Sequence, residues 1–192
     1  ANTKDTLLNK IDLVATNTLK ECMQTFFEDG PKRDRRLWIG DLRLEALTNY
    51  YTFNNLEIVK RCLYLFAAGE CNALGFLPSF VYETPYYYSG ATHIEDYALL
   101  YVVSVCDYYE HTNDISVVND LLDICKSQLD CFKSTLDDDI IVTKQKKILK
   151  ILALFIITII IGAMTHITIL HQKVGMQKSQ KTLMKELENF GL

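Results

Sequence analysis

Proline, glycine and tryptophan are scarce in this 192-residue chain, which has 3 prolines, 8 glycines and a single tryptophan. This scarcity excludes collagen-like chains and low-complexity chains rich in proline or glycine. The formal net charge is −4, so the basic excess typical of a nucleic-acid-binding protein is missing. There is also no C-x-x-C pair, which argues against a zinc site. With 49% hydrophobic and 23% charged residues, the composition is typical of a globular protein with a sizeable core.

The cysteines raise the question of disulfide bonds. Several of them fall on apolar helix faces, where a free thiol packs as a small apolar group. No signal-peptide pattern opens the sequence. We therefore expect reduced thiols in a cytoplasmic protein without a metal site. The cysteines are Cys22, Cys62, Cys71, Cys106, Cys125 and Cys131.

The composition changes abruptly after residue 143. Residues 1–143 contain 12 Lys and Arg against 22 Asp and Glu, whereas residues 144–192 contain 8 Lys against 2 Glu. All 11 tyrosines precede this boundary. We therefore predict two parts, a helical domain over residues 1–143 and an atypical helical tail, apolar and lysine-rich, over residues 144–192.

Helical periodicity dominates the first part, because apolar residues recur there at spacings of three and four. Strand signals are nearly absent, so the sequence predicts an all-α protein built of antiparallel helical hairpins. A polar segment containing Gly30-Pro31 interrupts the first helix, and a long loop spans about Gly69 to Thr92. The predicted apolar stripes are Leu8-Ile11-Ala15-Leu19-Cys22-Phe26, Leu44-Leu47-Tyr51, Leu56-Val59-Leu63-Phe66, Ile94-Tyr97-Ala98-Tyr101-Val105-Tyr108 and Val118-Leu121-Cys125-Leu129-Phe132.

The polar segment after the first helix is the strongest candidate for a functional site. Between Asp29 and Asp41 it holds three carboxylates, four cations and the only tryptophan. Glycoside hydrolysis requires an acid that protonates the leaving oxygen and a second carboxylate across the sugar ring. A solvated turn also accounts for the pattern, with Asp41 as a helix N-cap and the arginines neutralising the aspartates.

Two segments resemble a known family. The run from about Ile11 to Phe53 has EDGPKRDRRLWIGDLR at its centre, and it is similar to the catalytic domain of bacterial α-L-rhamnosidases, glycoside hydrolase family 78. The segment IEDYALL, which continues to DYYE and ND at Asp114, resembles a later helix of that domain. The resemblance implies an (α/α)6 barrel, the six-hairpin glycosidase fold, of which this chain holds the N-terminal part. It also implies inverting hydrolysis of terminal α-L-rhamnosides without a cofactor, and a rhamnosylated carbohydrate as substrate.

The resemblance also implies roles for individual residues. Asp34 matches the general acid, although many family members have the longer Glu at this position. A general acid must come within hydrogen-bonding distance of the glycosidic oxygen, so the shorter side chain requires a different loop path. The implied sugar-binding residues are Asp29, Arg33, Trp38, Asp41 and, less strongly supported, Asp96.

The second carboxylate of the reaction has no match. The only acids after Asp139 are Glu186 and Glu188, and they resemble no family motif. Because an inverting hydrolase needs a base to activate water, we expect this chain by itself to be inactive. We also expect it to self-associate through apolar helix faces that half a barrel leaves exposed.

The tail departs from the family pattern. Ile151 to Leu170 contains no Lys, Arg, Asp or Glu, and its 20 residues have the length of a membrane span. It is also compatible with a buried barrel helix or with out-of-frame sequence from an AT-rich gene, and the last is the preferred interpretation. The alternative function is therefore a non-catalytic helical module that binds sugar or is anchored in a membrane.

Overall fold

A computed structural model of the chain describes residues 3–133, 136–137 and 140–141. The chain divides into two compact units, residues 1–136 and 137–192, and the predicted tail lies outside the described residues. All five described helices belong to the first unit. The elements are α1 (Thr6–Cys22), β1 (Leu37–Trp38), α2 (Ile39–Tyr51), α3 (Leu56–Ala67), β2 (Phe80–Tyr82), β3 (Tyr88–Ser89), α4 (Glu95–Thr112), α5 (Ile115–Lys133), β4 (Leu136–Asp137) and β5 (Ile140–Ile141).

Helix α4 lies at the centre of the first unit and packs against α2, α3 and α5. The apolar stripe predicted for it is largely buried, since Ala98, Tyr101, Val105 and Tyr108 are at most 3% exposed. Tyr101 also donates a hydrogen bond from its hydroxyl to the carbonyl of Leu63 on α3, at 3.1 Å. The helical hairpins that the periodicity predicted are therefore present.

Two details of the first helices differ from the prediction. Helix α1 ends at Cys22, and Phe26 is buried beyond it without being part of it. The side chains of Leu8 and Ile11 are more than half exposed, and Leu19 alone is buried on this helix. The predicted α1 stripe is wrong for its first half, because α1 packs mainly against α2 through its C-terminal end.

The apolar stripe predicted for α2 lies on the wrong face. Leu44 is 65% exposed and Tyr51 is 81% exposed. The helix begins earlier than the stripe, at Ile39, directly after β1, and its contacts with β1 and α4 set its rotation. Its buried residues are Ile39, Leu42, Ala46, Asn49 and Tyr50.

A small antiparallel sheet was missed by the sequence analysis. Strand β2 pairs with β1 on one side and with β3 on the other, so the order is β1-β2-β3. Trp38 is opposite Phe80 in this register, and Tyr82 is opposite Tyr88. The strands hold two or three residues each, too few for an alternating pattern to be recognisable.

The membrane alternative is not supported by any described helix, since none of them is both long and apolar enough to span a bilayer. The segment from Ile151 to Leu170 lies outside the described residues.

Candidate functional site

The polar segment between α1 and β1 folds into a closed loop whose ends are held together. The backbone N–H of Asp29 donates to the carbonyl of Arg36 at 2.7 Å, and that of Arg33 donates to the carbonyl of Gly30 at 2.7 Å. Gly30 has a φ of +60°. In this left-handed conformation glycine avoids the steric clash that a Cβ atom would make with the backbone. The Gly-Pro pair thus forms a turn, as predicted, and the turn brings the charged side chains of the loop to one place.

Arg33 joins two of the predicted carboxylates. Its Nη2 atom lies 2.7 Å from Asp29 Oδ2, and its Nε atom lies 3.3 Å from Asp34 Oδ1. Asp34 Oδ1 is shielded from solvent and has no hydrogen-bond partner among the described residues. The second contact is therefore an ion pair without a hydrogen bond. The Arg33 side chain is itself 71% exposed.

Trp38 is held between two aromatic rings. Its ring lies 4.7 Å from that of Phe80, its cross-strand neighbour, and 6.5 Å from that of Tyr97, which meets it edge-on at 88°. On the other side, the Arg36 guanidinium stands 4.5 Å above the Phe80 ring. The indole Nε1 atom is shielded from solvent and has no hydrogen-bond partner among the described residues. The sheet therefore fixes the tryptophan next to the charged loop.

Asp41 lies in the first turn of α2, three residues after the N-cap residue Trp38. The alternative that Asp41 is itself the N-cap is therefore wrong. Burial raises the pKa of Asp41, and the neighbouring carboxylates of Asp29 and Asp34 raise it further, against the lowering effect of Arg33. The charges of both loop carboxylates thus act on Asp41.

Helix α4 brings a further group to the site from 50 residues later in the chain. Asp96 lies in its first turn. Next to it, the pKa of Tyr97 is raised by burial and then by the carboxylates of Asp41, Asp96 and Asp29, in that order. The charges of three predicted sugar-binding carboxylates therefore act on the Tyr97 phenol.

Two residues of this cluster were missed by sequence reasoning. The sequence pattern places Tyr97 in the apolar stripe of α4. Two features of the structure distinguish it from a core residue, namely its half-buried position and the three aspartates whose charges raise its pKa. Glu45 lies one helical turn after Asp41, and this i, i+4 spacing was the available signal. Burial, together with the charge of Asp41, raises the pKa of Glu45 to about 7, while a hydrogen bond with the Cys22 thiol lowers it.

The arrangement is suited to binding a polyhydroxylated ring. Ionised carboxylates accept hydrogen bonds from sugar hydroxyls, and an aromatic face packs against the apolar side of the ring. Among the described residues, no cluster of three or more His, Cys, Asp or Glu could hold a metal ion.

A family model described as the bacterial alpha-L-rhamnosidase six-hairpin glycosidase domain matches residues 1–150. The chain belongs to this family. The described part is accordingly a partial six-hairpin glycosidase domain, as the resemblance of the two motifs implied.

Two solved rhamnosidase structures are similar to this rhamnosidase-family domain. A rhamnosidase from Klebsiella oxytoca with rhamnose bound superposes with a TM-score of 0.79 at 30% identity, covering 99% of this chain and 39% of that one. A family 78 rhamnosidase of Bacillus sp. GL1 superposes with a TM-score of 0.79 at 21% identity, covering 98% of this chain and 20% of that one. The chain thus spans well under half the length of either structure. No curated protein sequence matches it significantly.

Proposed function

We propose that this chain is part of the catalytic domain of an α-L-rhamnosidase that hydrolyses terminal α-L-rhamnosides with inversion. The observation that carries the proposal is the contact of Arg33 with Asp29 and Asp34, in a loop that leads through β1 to Asp41 in the first turn of α2, within a domain of the rhamnosidase family. The Klebsiella oxytoca rhamnosidase, whose structure holds rhamnose, supports the choice of sugar.

In this proposal one residue of the loop acts in catalysis and the others bind or orient the sugar-binding groups. Asp34 is the general acid that protonates the glycosidic oxygen. Asp29 and Asp41 accept hydrogen bonds from rhamnose hydroxyls, and Asp96, in the first turn of α4, accepts another. Trp38 packs against the apolar face of the rhamnose ring. Arg33 orients the two carboxylates that it contacts, Asp29 and Asp34.

The base that activates water in an inverting reaction has no candidate among the residues matched to the family motifs. We therefore propose that the 192-residue chain binds rhamnose without hydrolysing rhamnosides. Incubation with p-nitrophenyl α-L-rhamnoside should release no p-nitrophenol above the uncatalysed rate. Measurable turnover would contradict this part of the proposal.

The single tryptophan gives a direct test of sugar binding. Because Trp38 is the only tryptophan, its fluorescence reports on the candidate site alone, and titration with L-rhamnose should change it saturably while D-glucose should not. Asp41→Asn should weaken rhamnose binding about 10- to 100-fold, since hydrogen bonds to a charged acceptor contribute about 1.5–3 kcal/mol each. Asp34→Asn should change it little, because the acid contacts the leaving group.

A matched control is available on α5, where Asp123 is 99% exposed. Asp123→Asn should bind rhamnose as the wild type does. If rhamnose leaves the Trp38 emission unchanged at every concentration, or if D-glucose acts equally, the proposed sugar specificity is wrong.

A further inference from the structure

Tyr97 has the geometry of a ligand-binding residue and not that of a core aromatic. Its ring is half-buried and meets Trp38 edge-on, with centroids 6.5 Å apart. Its phenol end lies against the backbone of Gly40, where an added Cβ atom would come within 2.7 Å of both Cζ and the hydroxyl oxygen. The absence of a side chain at position 40 therefore makes the space that the phenol occupies.

The Tyr97 hydroxyl lies beside residues that precede or follow carboxylates. Its phenol end lies against Gly40, the residue before Asp41, and Asp96 precedes Tyr97 in the first turn of α4. Burial raises the pKa of Tyr97 above its ordinary value of 10.0, and the charges of Asp41, Asp96 and Asp29 add to that rise. The hydroxyl is therefore protonated at neutral pH, as an unshifted tyrosine is, and can donate a hydrogen bond. It makes no hydrogen bond to the residues for which side chains are described.

A bound sugar needs such a donor. Each sugar hydroxyl has one proton to donate and lone pairs to be satisfied. The ionised carboxylates of the site can accept its proton but cannot donate to it. The two arginines beside Asp34 are both engaged with carboxylates. Arg33 contacts Asp29 and Asp34, and Arg36 Nε lies 3.9 Å from Asp34 Oδ2.

We propose that Tyr97 is a sugar-binding residue of the site, whose hydroxyl donates a hydrogen bond to a rhamnose hydroxyl that itself donates to one of the neighbouring carboxylates. The assignment rests on the proposed function, since it takes rhamnose as the ligand. It adds a neutral hydroxyl donor to a group whose other donors are the Asp34 acid, the guanidinium groups of Arg33 and Arg36, and the Trp38 indole N–H. Gly40 serves it as a positioning residue, because only glycine leaves room for the phenol at that depth.

The test compares variants by titrating Trp38 fluorescence with L-rhamnose. Tyr97→Phe removes the hydroxyl and keeps the ring, so the unliganded emission maximum and the urea midpoint should match those of the wild type. Rhamnose affinity should fall roughly three- to tenfold, as expected for one lost hydrogen bond. Tyr86→Phe, at a tyrosine that is 65% exposed, should leave the affinity unchanged.

Monodeoxy sugars separate a direct contact from a structural effect. With one of the 2-deoxy, 3-deoxy and 4-deoxy derivatives of L-rhamnose, the wild type and Tyr97→Phe should bind equally, because the hydroxyl that Tyr97 contacts is then missing. A purely structural role would give the same ratio of affinities for all three. Gly40→Ala should also weaken rhamnose binding, because its methyl group displaces the phenol.

The possible failures are distinguishable. If the wild type binds rhamnose and Tyr97→Phe binds it equally well, the assignment of Tyr97 is wrong and the proposed function stands. A ratio that stays the same across the deoxy sugars likewise overturns the assignment. If the wild type does not respond to rhamnose at all, the proposed function fails and the assignment fails with it.

Discussion

Glu45 shows how the environment of a single residue makes the stability of the fold depend on pH. It lies on α2, one turn after Asp41, and one of its carboxylate oxygens is shielded from solvent without a hydrogen-bond partner among the described residues. Burial is the main cause of its raised pKa, and the charge of Asp41 adds to it. The other titratable groups that face it are the thiols of Cys22 on α1 and Cys62 on α3, and Asp29 in the loop.

The raised pKa of Glu45 predicts a loss of stability with rising pH. The folded state holds the proton up to about pH 7, whereas the unfolded chain releases it near the ordinary value of 4.5. The free energy of unfolding should therefore decrease as the pH rises through this window and stay constant above it, by an amount on the order of 3 kcal/mol from this group. Urea unfolding at pH 5 and pH 8 measures the difference.

The glutamine variant isolates this effect. The unfolding free energy of Glu45→Gln should change much less between pH 5 and pH 8 than that of the wild type, because the variant has no carboxyl group to titrate at this position. Glu21→Gln, at an exposed position on α1, should keep the wild-type pH dependence. Equal pH dependence in the wild type and Glu45→Gln would contradict the assigned titration.

The helix pair α2 and α4 carries the site from both sides, and an ion pair joins the two helices. Arg43 Nε lies 2.9 Å from Asp107 Oδ2, with side chains that are 28% and 18% exposed. Burial raises the pKa of Asp107, and Arg43 acts against that rise. A second contact joins the same two helices one turn further along α4, where the Tyr50 ring is stacked 4.0 Å from that of His111.

Removal of one partner of this ion pair should destabilise the domain. Arg43→Met leaves a largely buried carboxylate without its counter-ion and should lower the free energy of unfolding by about 2 kcal/mol, somewhat less than for a fully buried pair. The double variant Arg43→Met, Asp107→Asn should recover part of the loss. Lys126→Met, which breaks the exposed pair with Asp123, should cost under about 1 kcal/mol. Equal losses for Arg43→Met and Lys126→Met in urea unfolding would contradict the prediction.

The sequence predicted the helices better than their orientations. The stripes of α3, α4 and α5 face the core as predicted, because these helices are covered by neighbours within the described part of the chain. The stripes of α1 and α2 could not be read correctly, since their rotation depends on contacts with elements distant in sequence.

The loop of the candidate site was recognisable from its residue types, whereas its partners were not. Three carboxylates, an arginine cluster and the only tryptophan within a short segment marked Asp29, Asp34 and Asp41. Nothing local showed that Phe80 and Tyr97 would meet Trp38, because these contacts join strands and helices that lie 40 or more residues apart in the chain. The catalytic and binding roles of these residues remain predictions.

At the scale of the whole molecule, helix α1 leaves several large apolar side chains uncovered. Five large apolar side chains of α1 are at least 53% exposed, namely Leu7, Leu8, Ile11, Leu13 and Val14. Surfaces of this kind mark association sites in soluble proteins. We therefore expect the chain to self-associate, as its partial domain suggested.

Sedimentation velocity at several protein concentrations measures this association. The wild type should show a mass that rises with concentration, and the double variant Leu8→Glu, Ile11→Glu should shift the association to higher concentration. Leu74→Glu, in an exposed loop position, should leave it unchanged. A concentration-independent monomer mass for the wild type would refute the prediction.

The pairing of Trp38 with Phe80 has a consequence for synthesis of the chain. When residues 29–41 leave the ribosome, all three carboxylates of the loop are already present, yet the strand that pairs with β1 and the helix that carries Tyr97 have not been translated. A nascent chain released before residue 97 would contain the charged loop without the aromatic residues that contact Trp38. The proposed sugar site therefore forms only after β2 has paired with β1 and α4 has been synthesised.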